Sequence, residues 1–206
     1  MSQNDCHKNN DGILWSRFRE GNVQAFDAIM KTYYQLLYNY GSRFTRDSEL
    51  LKDNIQELFL ALWKNRQTIK DTASVKHYLL KSLRRKLARA ISKTKLTTHF
   101  DELNFEAGFN MVLPVENNII LQEKLTEISF KIRGVLEKLS RRQQEIIYLR
   151  FYMDADIDEI SEIMDLSRQS VYNLLYEAFK RFKSLADFNY FSISLDLIFL
   201  LLLNLF

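Results

Sequence analysis

Apolar residues recur at every third or fourth position along most of this chain, which is the spacing of helices that bury one face. In the first half the pattern predicts a short helix at Leu14–Glu20 and a second one that begins after Asn22, a residue suited to an N-cap. Two longer amphipathic helices are predicted at Ser48–Arg66 and Ser74–Ser92. The first half is therefore predicted to be helical.

Helix-start signals divide the second half. A helix is predicted at Ile119–Leu139, and capping boxes open the next two helices at Ser140-x-x-Gln143 and Asp156-x-x-Glu159. Ser167 can cap a final helix that runs to about Leu185. The last two helices are separated by three residues, which is the helix-turn-helix pattern.

A helix-turn-helix motif places the start of its second helix in the major groove of DNA. The turn here is Met164-Asp165-Leu166, which lacks the favoured glycine. Arg can pair with guanine and Gln or Asn with adenine, so the polar start of this helix suits base edges. The candidate duplex-binding residues are Ser167, Arg168, Gln169, Ser170, Tyr172 and Asn173, with Lys180 and Arg181 further along near phosphate. A solvated helix end is the alternative interpretation.

Composition narrows the fold class to all-α. The 206 residues include five Gly and one Pro, too few for the tight turns of a sandwich or barrel, or for a glycine-rich phosphate site. The single Cys6 excludes an internal disulfide framework and a metal site built from several cysteines, and it fits a reducing cytoplasm. No signal peptide is expected, because the first eleven residues contain no apolar run.

Positive charge is concentrated in one segment. Lys64–Lys95 holds eleven Lys or Arg residues and one acid, Asp71, although the net charge of the chain is only +3. A segment this basic indicates a polyanionic partner, most often nucleic acid, and a solvated helix face is the alternative. Residues 96–118 have four acids, no Lys or Arg and the single Pro, so they are predicted to form a linker.

These boundaries predict two small helical domains, at residues 21–95 and 119–187, joined by the acidic linker 96–118. Residues 1–20 form an N-terminal segment, and residues 188–206 form a hydrophobic tail that contains seven consecutive apolar residues, Leu197–Leu203. The apolar stretch is short for a membrane span, which needs about 20 residues. Docking on the chain's own helices, binding a partner protein and touching a membrane are three open alternatives for the tail.

Three motifs follow one another in a characteristic order. Asp53-Asn54-Ile55-Gln56-Glu57-Leu58-Phe59 is followed by Leu62-Trp63, Ser74–Leu79 leads into the basic helix, and Leu139–Phe182 contains the helix-turn-helix. In combination they resemble the sigma factors of bacterial RNA polymerase, in the extracytoplasmic-function (ECF) group of the sigma-70 family. The resemblance covers about Gly21–Leu185 and implies an alternative sigma factor, without catalysis of its own, that directs promoter recognition, strand opening and transcription initiation.

The resemblance also implies functional sites. Residues 21–95 correspond to sigma region 2 and residues 119–187 to sigma region 4. One helix of region 2 is expected to dock on core RNA polymerase through Asp53, Gln56, Glu57, Phe59 and Leu60, and for Phe59 a place in the core is an equal alternative. The basic helix is expected to receive the upstream promoter strand as it melts, through Lys76, His77, Tyr78, Lys81, Arg84, Arg85, Lys86 and Arg89; Tyr78 also fits the core stripe.

The implied partners are the beta and beta-prime subunits of core RNA polymerase, promoter DNA, and an anti-sigma factor or other recruiting protein, for which the tail is one candidate contact. No metal, cofactor or small-molecule substrate is expected. The expected location is the cytoplasm, at the nucleoid, with sequestration near a membrane as a further option. Family members often carry Asn and Asp where this chain has Arg85 and Arg89, so an adaptor that has lost promoter opening is one alternative.

Two other functional classes remain for comparison. A stand-alone helix-turn-helix regulator would bind its operator without polymerase, and the docking motif at Asp53–Trp63 argues against it. An enzyme is disfavoured because His7, His77 and His99 show no metal-ligand spacing, and the sequence contains no glycine-rich phosphate loop or nucleophile elbow.

Overall fold

The computed structural model describes residues 3–94, 109–110 and 133–185, with the backbone alone described at 3–10, 93–94 and 185. The chain divides into two compact units, Met1–Phe105 and Glu106–Phe206. Every regular element within the described ranges is a helix, which confirms the all-α fold class.

The first unit contains four helices: α1 (Gln3–Arg19), α2 (Val23–Gly41), α3 (Ser48–Lys64) and α4 (Val75–Thr94). The predicted cap is confirmed, since the Asn22 side chain accepts a hydrogen bond from the backbone N–H of Ala25 at 2.8 Å. Asp47 caps α3 by accepting from the N–H groups of Glu49 and Leu50. α1 begins eleven residues before the short helix predicted at Leu14–Glu20, so the prediction captured only its C-terminal part.

α1 packs in the same core as α2 and α4. The side chains of Trp15 and Phe18 are fully buried. The rings of Trp15 and of Tyr78 on α4 meet edge to face, with centroids 5.2 Å apart, and the Phe18 ring stacks on Phe26 of α2 at 5.6 Å. The N-terminal helix therefore contributes two of the largest buried side chains of this unit.

Gly41 ends α2 where three buried leucines converge. A Cβ atom at this position would lie 2.3 Å from Leu51 Cδ1 and 3.4 Å from the side chains of Leu83 and Leu87. The absence of a side chain lets the end of α2 approach α3 and α4 closely.

The second unit contains a helical segment at 133–137, then α5 (Arg141–Ile147), a π-helical turn (Tyr148–Tyr152), α6 (Ile157–Met164) and α7 (Arg168–Leu185). Both predicted capping boxes are confirmed, with reciprocal hydrogen bonds at Ser140–Gln143 and at Asp156–Glu159. The first part of the helix predicted at Ile119–Leu139 lies outside the described residues, as do residues 188–206 and almost all of the predicted linker.

Asp165 replaces the expected glycine in the turn between α6 and α7. Its backbone adopts the left-handed conformation, with φ 59° and ψ 45°, which Asp tolerates better than most residues. The Ser161 hydroxyl donates to the Leu166 carbonyl at 2.5 Å, and Ser167 caps α7 by accepting from the Ser170 N–H. Local hydrogen bonds thus hold a tight turn without glycine.

Candidate functional site

An open, mostly apolar groove lies between α2 and α3. Its volume is about 850 Å³. The rings of Phe26 and Trp63 lie 5.0 Å apart in its lining, while Leu60 and Val23 stay 69% and 59% exposed. The residues that line the groove are Val23, Gln24, Phe26, Asp27, Met30 and Tyr34 from α2, and Gln56, Phe59, Leu60 and Trp63 from α3.

Three residues of the predicted polymerase-docking set, Gln56, Phe59 and Leu60, line this groove together. Gln56 and Leu60 are exposed, and Phe59 is buried, with its ring in an edge-to-face arrangement with Phe26. Phe59 therefore belongs to the core, as one of its two predicted roles requires, and it also forms part of the wall of the groove. The other two residues of the set, Asp53 and Glu57, are exposed on α3. The sequence pattern did not predict the groove residues of α2, because periodicity does not show which two helices pack against each other.

α4 carries the predicted basic surface. Arg85 and Arg89 are exposed, while the remaining basic residues of the set are half-buried: Lys76, Lys81, Arg84 and Lys86. A second groove, of about 260 Å³, runs between α4 and α3. Its lining includes Tyr78, Ser82, Arg85, Lys86 and Arg89 from α4, and Leu58, Ala61, Leu62 and Asn65 from α3. The basic side chains of α4 thus border a partly apolar cleft.

His77 was wrongly predicted to contact the promoter strand. Its side chain is only 5% exposed, so it is not accessible to a base. α4 packs against both α2 and α3, so its buried face is wide and includes Leu80 and Ala88 as well as His77. Tyr78 is half-buried against Trp15 and still lines the second groove.

An ion pair links the two surfaces of the first unit. Lys86 Nζ donates to Glu57 Oε2 at 2.8 Å, and so joins the basic helix to the helix that carries the docking motif. The two residues are 29 positions apart in sequence, and no local pattern signals their contact.

α7 presents the predicted duplex-binding residues on its solvent side. All eight are exposed: Ser167, Arg168, Gln169, Ser170, Tyr172, Asn173, Lys180 and Arg181. Gln169 Nε2 donates to Asn173 Oδ1 at 2.9 Å, one turn further on. Tyr176 is 63% exposed and lies one turn after Tyr172, so it belongs to the same surface although the prediction omitted it. The four-residue spacing of these two tyrosines was the available signal.

The described part of the chain shows neither a metal-binding cluster nor a membrane-spanning helix. No group of three or more His, Cys, Asp or Glu side chains there is arranged to hold a metal ion. None of the described helices combines the length and apolar content that crossing a membrane requires.

Family models match both units. The model "Sigma-70 region 2" matches residues 29–97, and "Sigma-70, region 4" matches residues 129–182, together more than half of the chain. The chain belongs to the sigma-70 family. The first match covers most of α2 and all of α3 and α4, and the second covers the helix-turn-helix. α1 lies outside both matches.

A relative places this sigma factor in the extracytoplasmic-function group. The ECF RNA polymerase sigma factor SigM of Bacillus subtilis (strain 168) is 25% identical over 162 residues, which cover 78% of this chain and 94% of SigM. The protein is thus an alternative sigma factor that acts in transcription initiation.

Two solved structures share the fold. One is CnrH in complex with the cytosolic domain of CnrY, with a TM-score of 0.57 and 17% identity over 87% of this chain and 98% of the other. The second is the sigma factor RpoE in complex with the anti-sigma factor NepR from Bartonella quintana, with a TM-score of 0.55 and 14% identity over 81% and 99%.

Proposed function

We propose that core RNA polymerase docks on the α2–α3 groove and on the adjoining exposed face of α3. The observation that carries this proposal is Leu60, a large apolar side chain left 69% exposed on the rim of an apolar groove. Exposed apolar surface beside a groove commonly marks a protein partner. The predicted set of Asp53, Gln56, Glu57, Phe59 and Leu60 would then contact the beta and beta-prime subunits, with Asp53 and Glu57 as the charged rim.

The α3–α4 cleft is proposed to receive the promoter strand that separates during opening. The basic side chains that line the cleft can contact the phosphates along the strand. The partly apolar cleft can bind an unstacked base beside Tyr78. The phosphate-contacting set is Lys76, Lys81, Arg84, Arg85, Lys86 and Arg89. His77 supports α4 from inside and is left out of this set.

α7 is proposed to enter the major groove of the upstream promoter element. The start of the helix offers Arg, Gln and Asn side chains to base edges, while Lys180 and Arg181 are placed for phosphates. In this arrangement residues 21–95 act in polymerase docking and melting, residues 96–118 are the acidic linker, and residues 119–187 read duplex DNA. No part of this role requires catalysis by the chain, and it belongs to the cytoplasm, where core polymerase meets the nucleoid.

An anti-sigma factor is the proposed regulator. This proposal is supported by the two solved structures of the same fold, which are complexes with the cytosolic domain of CnrY and with the anti-sigma factor NepR. A partner that covered the α2–α3 groove would exclude polymerase directly. The apolar residues 188–206, outside the described ranges, are a second candidate contact for such a protein.

The proposed function is tested by run-off transcription with core RNA polymerase purified from the source organism, on fragmented genomic DNA. The wild-type chain should produce new discrete transcripts and should co-purify with core enzyme. Leu60→Asp should abolish both, because a carboxylate on the groove rim opposes apolar docking. Ile13→Asp is the matched control, since Ile13 is 52% exposed on α1 and does not line the groove.

Three results would contradict the proposal in different ways. Transcripts that appear although the wild-type chain does not bind core polymerase would contradict a sigma factor, which acts through the core enzyme. Equal loss with Leu60→Asp and Ile13→Asp would mean that the groove is not the docking surface. Tight operator binding without polymerase, and no transcripts with it, would indicate a stand-alone regulator.

A further inference from the structure

Arg168 and Asp158 form a side-on ion pair across the helix-turn-helix. Asp158 lies in the first turn of α6, and Arg168 is the first residue of α7. Arg168 Nη2 donates to Asp158 Oδ2 at 2.8 Å, and Arg168 Nε faces Asp158 Oδ1. Both side chains remain more than half exposed, so the pair lies on the surface where α7 begins.

This pairing leaves the outer edge of the guanidinium available. An arginine side chain has five N–H donors: one on Nε and two on each terminal nitrogen. The side-on pair engages Nε and one N–H of Nη2. Both N–H groups of Nη1 and the second N–H of Nη2 remain. One N–H of Nη1 and that N–H of Nη2 together form the end-on edge, which can pair with two acceptors. Guanine presents two such acceptors, O6 and N7, in the major groove.

We propose that Asp158 is a positioning residue that holds Arg168 for end-on recognition of a guanine in the upstream promoter duplex. The inference rests on the proposed placement of α7 in the major groove. Holding a long side chain in its bound rotamer lowers the conformational entropy lost on binding. An exposed ion pair contributes little to folding, so the main effect of Asp158 is on base preference and not on stability.

The test is a promoter library in which the upstream duplex element is randomised, transcribed by holoenzyme made with the full chain. The wild type should prefer guanine at one position. Arg168→Ala should lower that preference roughly ten-fold or more. Asp158→Ala should lower the preference at the same position by about three- to ten-fold and leave the other positions unchanged.

Glu162→Ala is the matched control. Glu162 is an exposed acid one turn after Asp158 on α6, and it makes no ion pair among the described residues. Removing either acid weakens repulsion from phosphates, which raises binding to every sequence alike. Only Asp158→Ala should change the guanine preference, and Asp158→Glu should restore part of it. Thermal unfolding of each variant shows that the fold is retained.

Two outcomes would overturn the inference while leaving the proposed function intact: a wild-type profile with no guanine position that depends on Arg168, or equal profiles for Asp158→Ala and Glu162→Ala. Failure of the proposed function is recognised separately, because no variant would then yield transcripts. In that case binding of the full chain alone to the same duplex library is measured. A guanine preference that the wild type shows and Asp158→Ala loses still supports the inference. A wild-type chain without any guanine preference overturns it.

Discussion

Lys86 and Glu57 form an ion pair, with Nζ 2.8 Å from Oε2, between the helix proposed to bind DNA and the helix proposed to bind polymerase. Each residue belongs to the proposed binding surface of a different partner. The pair therefore joins α4 to α3 in the free protein. A partner that binds Lys86 has to compete with Glu57 for it, and a partner that binds Glu57 has to compete with Lys86.

Exchanging the two charges separates the structural role from the binding roles. In the double variant Glu57→Lys with Lys86→Glu, the ion pair can re-form, so the free energy of unfolding should change by less than about 1 kcal/mol. Transcription should be lost, because each partner now meets the opposite charge. Thermal unfolding and run-off transcription measure the two effects. Wild-type transcription by the exchanged protein would show that neither residue contacts a partner.

Arg84 and Arg85 should contribute to DNA binding and not to polymerase docking. Arg84→Ala with Arg85→Ala is expected to lower promoter-dependent transcription while core binding is preserved. The salt dependence of promoter binding should fall by roughly 0.7 in log–log slope for each lost contact to a single-strand phosphate. Arg17→Ala with Arg46→Ala removes the same charge from exposed positions outside α4 and serves as the control. Unchanged transcription in the α4 variant would remove the basic helix from the proposed site.

Asp165 should be sensitive to β-branched replacement. The left-handed conformation costs roughly 1–2 kcal/mol for most residues, and more crowding at Cβ raises that cost, so Asp165→Val should destabilise the turn by about this amount. Asp165→Gly should change stability by less than about 1 kcal/mol, because glycine adopts this conformation freely but leaves a looser unfolded chain. Amide hydrogen exchange along α6 and α7 measures both. Equal exchange in the valine variant and the wild type would contradict the prediction.

Tyr33 should make the first unit less stable at alkaline pH. Burial, aided by the hydrogen bond and the negative charge of Asp11, raises the pKa of Tyr33 well above its ordinary value. The neutral phenol is thus favoured in the folded state, and its contribution is fully present below the unfolded pKa, near 10. As pH rises further, Tyr33 ionises in the unfolded chain and not in the folded one, so stability falls by up to about 1.4 kcal/mol per pH unit.

Fluorescence of Trp15 and Trp63, both in the first unit, follows this unfolding in denaturant. Tyr33→Phe should flatten the decline above pH 10, whereas Tyr34→Phe, which removes an exposed phenol, should not. At neutral pH Tyr33→Phe should also cost about 1 kcal/mol, from the lost hydrogen bond to Asp11. Identical slopes for Tyr33→Phe and the wild type would show that another group causes the alkaline decline.

The sequence by itself determined the features that depend on neighbouring residues. Helical periodicity established the all-α class, and Asn22, Ser140, Asp156 and Ser167 marked helix starts that the hydrogen bonds confirm. These signals are readable because a cap and the N–H group it satisfies lie within three residues of each other. The family resemblance has the same basis, since its motifs are short and follow one another along the chain.

Only the tertiary structure decided which faces meet. It buried His77 by packing α4 against two helices, and it formed the apolar groove from α2 and α3 together. It also brought Lys86 to Glu57 and Arg168 to Asp158, pairs separated by 29 and 10 positions. Periodicity specifies the apolar face of each helix but not its neighbour, because many pairings of apolar faces bury similar area, and the detailed fit of side chains selects among them.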